Sequence, residues 1–72
     1  METRTEILRF EPIGEFVLIQ AAVDGHLSIP FWEHRARFSG LSDAEVRCCI
    51  AELAADALKM YGDARHQAQR VH

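Results

Sequence analysis

The sequence predicts a small α+β domain: a three-stranded antiparallel β-meander followed by one long C-terminal amphipathic helix, in the order β-β-β-α. Three observations predict it. The first half is rich in β-branched and aromatic residues, interrupted by Pro12, Gly14 and the pair Asp24-Gly25. The second half places apolar residues at three- and four-residue spacing from Val46 to Tyr61. Between them, Ser42-Asp43-Ala44-Glu45 has the form of a helix capping box.

Residues 3–10 read as the first strand, with no helical stripe among Thr5, Ile7, Leu8 and Phe10. Glu11-Pro12-Ile13-Gly14 then reads as a turn, since proline presets φ and glycine takes the left-handed conformation at no steric cost. Residues 15–23 are the strongest strand, because Phe16, Val17, Leu18 and Ile19 suit a pleated surface better than a helix. Asp24-Gly25 marks a hairpin. Residues 26–31 follow as a third strand, assigned to a sheet edge because Pro30 cannot donate to a ladder. Apolar matching favours three-residue loops at both turns. It sets Phe10 against Phe16 and Leu8 against Leu18 in the first hairpin. In the second it sets Ala21 against Leu27, Ile19 against Ile29 and Val17 against Phe31. The middle strand is then apolar on both sides, with Val17, Ile19, Leu27 and Ile29 on one face and Leu8, Phe10, Phe16 and Leu18 on the other.

Residues 31–40 are expected to run as extended chain or a connecting turn, a short helix begun by Pro30 being the alternative. The helix starts at Ser42, with Asp43 and Glu45 at the positive end of its dipole. Its apolar stripe is Val46, Cys49, Ile50, Leu53, Ala57, Met60 and Tyr61, with Glu45, Glu52, Asp56, Lys59 and Asp63 opposite. Ala51, Ala54, Ala55, Leu58 and Gly62 form a flank small enough for another element to approach closely. Gly62 is a natural stop, and residues 63–72 read as a polar tail or frayed helix end.

Length and composition bound the function. The 72 residues have room for a single domain, residues 1–72, whose small core invites reinforcement by a metal, a disulfide or a second subunit. A net charge of -3 argues against strong nonspecific attraction to nucleic acid or anionic lipid. Cys48 and Cys49 are adjacent, point about 100° apart on a helix and do not bridge each other. Free thiols, with no signal-like start and no apolar run long enough for a membrane span, lead to the expectation of a cytoplasmic protein.

Chemical signatures are sparse. His26, His34, His66 and His72 lack metal-site spacing, and no C-x-x-C or H-E-x-x-H occurs. Neither cysteine lies at the helix start, where the dipole would activate it most. No phosphate-binding or dinucleotide loop is present, so no enzyme, metal or cofactor is expected. What remains is a count of faces: one helical stripe covers one side of a three-stranded sheet and leaves the other open. The sequence therefore points to a non-enzymatic protein–protein interaction or accessory module, expected as a homodimer that also takes another protein. Its interface candidates are Leu8, Phe10, Phe16, Leu18, Trp32, Arg35 and Phe38, with Trp32 and Arg35 of the type that anchors protein contacts. The alternative is a small nucleic-acid-binding regulator, using Arg35, Arg37, Arg65 and Arg70 on phosphates and the nearby aromatics on bases. In element order alone the chain is similar to small bacterial antitoxins and accessory proteins, a likeness that implies no particular site.

Overall fold

The residues with the strongest preference for a strand stand at the centre of the sheet. In the computed structural model, which describes residues 4–65, β1 (Thr5–Ile13) and β2 (Phe16–Val23) form a long antiparallel hairpin. β3 (His26–Leu27) and β4 (Phe31–His34) both pair antiparallel with β2, on the edge that β1 leaves free. They are one strand broken at Ser28-Ile29-Pro30. The architecture is thus the predicted meander, completed by a 3₁₀ turn over Arg35–Phe38 and the helix α1 (Asp43–Tyr61).

Both hairpins adopt a register other than the one apolar matching favours. The first turn is Gly14-Glu15, so Ile13 pairs with Phe16, Glu11 with Leu18 and Phe10 with Ile19. Gly14, at φ 63, occupies the position that a type II′ turn reserves for glycine. Pro12 lies inside β1, which pairs with β2 alone, and an edge strand tolerates a missing N–H. A bulge between Ile7 and Arg9 then shifts the pairing by one residue, which keeps Ile7 and Phe10 on one face. The second turn is Asp24-Gly25, with φ 50 and 84 as a type I′ turn requires, and it sets Ala22 opposite Leu27. The turn is tied to the residue before β1 by Asp24 N–H donating to the Arg4 carbonyl at 2.8 Å and Arg4 N–H donating to Asp24 Oδ1 at 2.8 Å.

The break in the third strand has a side-chain cause. Ser28 N–H donates to the Ala21 carbonyl at 2.9 Å, and its buried Oγ accepts the Ala21 N–H at 3.2 Å. A hydroxyl thus replaces a strand carbonyl, and with Pro30 unable to donate the chain slips one residue. Pairing resumes with Ile19 opposite Phe31, Leu18 opposite Trp32 and Val17 opposite Glu33. Residues 31–34 are a short strand, as the extended reading expects; the helical turn that follows begins at Arg35 and not at Pro30, opened by His34 Nδ1 accepting the Ala36 N–H at 3.1 Å.

Val17, Ile19 and Ala21 on one face of β2 cluster with Ile50 and Ala54 of α1, and all five are nearly or fully buried. Ile7, Val23, Phe31, Phe38 and Val46 pack around them. The capping box forms as the sequence predicts: Glu45 N–H donates to Ser42 Oγ at 3.2 Å and Ser42 N–H donates to Glu45 Oε1 at 3.1 Å. The Ser42 N–H, and after it the Ser42 hydroxyl, hydrogen-bonds the Glu45 carboxyl and holds it below its ordinary range. The helix ends at Tyr61, where Gly62 at φ 78 donates its N–H to the Leu58 carbonyl at 2.8 Å. The buried stripe is rotated from the predicted one. Ala54, assigned to the small-residue flank, is in the core, while Met60 and Tyr61 are exposed.

The region read as a polar tail begins with an anchor. The Asp63 side chain is only 8% exposed; its Oδ2 accepts the Leu27 N–H at 3.1 Å and lies 3.6 Å from His26 Nδ1. Arg65 binds Asp63 through its guanidinium and its amide, and also reaches the Gly25 carbonyl. The Arg65 side chain holds the Asp63 carboxyl far below the usual carboxylate range; burial opposes it, and the Arg65 and Leu27 amides add to it. Residues 66–72 lie outside the described residues.

Candidate interaction face

Side chains alternate across a strand, so burying Val17, Ile19 and Ala21 under α1 turns Phe16, Leu18 and Gln20 to the opposite face. The pairing registers arrange that face in rows. Ile13, Phe16 and His34 form one row, and Glu11, Leu18 and Trp32 the next. Ile13 is 53% exposed, Phe16 48% and Trp32 56%, with Leu18 half-buried between them. Ile13, Phe16 and Trp32 line a shallow depression of about 310 Å³. Among the described residues no element lies over it.

Polar groups frame the patch on two sides. On the β1 flank, Arg9 Nε lies 3.5 Å from Glu11 Oε1. On the other flank the His34 ring meets Phe16 edge-on, with centroids 5.5 Å apart. Arg35, beside Phe10, Pro12 and Val17, is not part of this frame: it donates its N–H to the Glu15 carbonyl at 2.9 Å and its Nη1 to the Gly14 carbonyl at 3.3 Å. The sheet thus presents a framed surface whose floor is fixed by ladder hydrogen bonds.

Of the seven residues singled out from sequence, Phe16, Leu18 and Trp32 come together here, whereas Arg35 lines a cleft with Phe10, Val17 and Phe38. Leu8 is exposed at the β1 bulge. Phe10 and Phe38 are on the helix side, ring against ring at 5.5 Å and 74°, and do not join the patch. The register explains the difference: Phe10 lies opposite buried Ile19 and not opposite Phe16. Ile13 was missed because a turn over Pro12-Ile13-Gly14 takes it out of the strand. Reading Gly14-Glu15 as a glycine-first two-residue turn would have found it.

Other chemistry is dispersed. Arg37 hydrogen-bonds Cys49, with Glu33 and Glu52 near, and these contacts push its pKa further up. Cys48 is exposed and Cys49 half-buried. A groove of about 440 Å³ between β1 and α1 is lined by Thr5, Val23, Arg47, Cys48, Ala51, Glu52 and Ala55. Of the arginines expected on phosphates, Arg35 and Arg65 are engaged with the protein's own carbonyls, and Arg70 lies outside the described residues. Among the described residues no three His, Cys, Asp or Glu side chains converge as a metal site, and no helix is long and apolar enough to cross a membrane. Comparison with protein-family models, curated proteins and solved structures finds no match to this chain.

Proposed function

We propose that this chain is a non-enzymatic interaction module that works as a homodimer through the open face of its sheet. One observation carries the reading: Ile13, Phe16, Leu18 and Trp32 form a contiguous apolar surface on the face opposite the helix. Large apolar side chains grouped in this way mark association sites far more often than scattered ones do. A second copy is the simplest partner, since a twofold interface presents the same patch from both sides. The indole is also one of the side chains that dominate interface energetics.

Sedimentation of the purified chain over a wide concentration range tests this. A concentration-dependent dimer is expected, with Phe16→Asp giving a monomer of unchanged far-UV circular dichroism. A chain that stays monomeric at millimolar concentration, or a Phe16→Asp chain that still dimerises, overturns the proposal.

A further inference from the structure

We infer that the open face is shaped for its own copy about a twofold axis running along β2, which lays Trp32 of each protomer over Glu11 of the other. This rests on the reading that the chain associates through that face. The argument comes from the placement of donors and acceptors. Phe16 and Leu18 form the central column; Ile13 and Glu11 stand on one flank, His34 and Trp32 on the other. A twofold axis along the central column exchanges the flanks. Phe16 then meets Phe16, Leu18 meets Leu18, and Glu11 faces Trp32 twice over.

The chemistry of that pairing is complementary. The indole N–H is a donor only, and an ionised carboxylate is an acceptor only. Glu11 Oε1 lies against Arg9, which leaves Oε2 to accept. Neighbouring strands are about 4.8 Å apart and packed sheets about 10 Å, so the flanks of two aligned sheets lie within reach of a tryptophan. The other in-plane twofold, across the strands, leaves each β1 flank facing its own copy. Trp32 then meets Trp32 or His34, whose Nδ1 already accepts the Ala36 N–H, and the indole N–H finds no acceptor, which is costly once it is buried. Of these two axes, only the one along β2 gives the indole N–H a carboxylate acceptor. A second copy supplies the donor and the acceptor from the same two residues, twice over, by symmetry.

Single-cysteine variants in a Cys48→Ser, Cys49→Ser background test the arrangement, using a bismaleimide of about 10 Å span to match the sheet spacing. Leu18→Cys is expected to cross-link to itself. A mixture of Glu11→Cys and Trp32→Cys chains is expected to cross-link faster than either alone. Trp32→Phe keeps an aromatic ring and loses the N–H, and should raise the dimer dissociation constant on the order of a hundredfold to ten-thousandfold for two bonds to a charged acceptor. Faster self-linking of Glu11→Cys than of the mixture, or unchanged affinity in Trp32→Phe, overturns the twofold. If Phe16→Asp still abolishes the dimer in that event, association through the face stands and only the arrangement falls.

Discussion

Ser28 and Asp63 each satisfy main-chain amides that the strands themselves leave without a partner. Ser28 Oγ accepts the buried Ala21 N–H at 3.2 Å, while its own carbonyl takes Gln20 Nε2 at 3.0 Å. Ser28→Ala removes the acceptor and leaves the amide buried, so it should destabilise the fold by about 1–3 kcal/mol in urea unfolding, more than a surface serine would. Asp63 pins the end of the helix to the second hairpin, and its carboxyl titrates far below the usual range because Arg65 bonds its charged form. The sign follows from that depression. The contribution is present above the unfolded pKa of about 3.9 and is lost as pH falls below it toward the folded value. Acid unfolding followed by circular dichroism should therefore begin at higher pH in Asp63→Ala, where the contribution is already missing, and wild type should lose its advantage over the variant below about pH 4. Neither residue announces itself in the sequence. Both act across a separation that only the assembled sheet closes.

At the level of elements, legibility followed the range of the interaction. The capping box is four consecutive residues, and every atom it needs is local, so Ser42 could be read directly as the start of α1. The existence of the first two strands was equally plain. Their register was not, because apolar matching assumed that each pair should be apolar on both sides. In the protein, Glu11 stands opposite Leu18 and Glu33 opposite Val17, and the turns are decided by Gly14 and by Asp24-Gly25 taking positive φ. That misreading carried Phe10 to the wrong face and hid Ile13. Two variants separate the local from the packed contributions of α1. Ser42→Ala should cost about 1 kcal/mol, the usual worth of an N-cap side chain. Ile50→Ala, at the buried centre of the contact with β2, should cost about 2–5 kcal/mol by leaving a cavity. A reversed order in equilibrium unfolding would mean that the helix is held by its cap and hardly by the sheet.

For the whole molecule, the deficit read from the sequence persists in a sharper form. One helix covers one face of the sheet, and the core it makes is small: five side chains cluster at its centre, two of them alanines. A chain of this length buries only about 60% of the surface its unfolded form exposes, which leaves stability sensitive to whatever covers the second face. If a second copy does so, folding and association are linked by mass action, and the folded state gains free energy as the chain concentration rises past the dissociation constant. Thermal unfolding should then depend on concentration, each kcal/mol moving the midpoint by about 4–8 °C in a domain of this size. The Phe16→Asp chain, which cannot associate, should melt at one temperature throughout the series. Parallel behaviour of the two chains would mean that the open face contributes nothing by self-association, however apolar it is. A concentration dependence that disappears only when the patch is charged would tie the stability of the fold to the half-buried Leu18 and to Ile13, Phe16 and Trp32, which the folded chain leaves exposed.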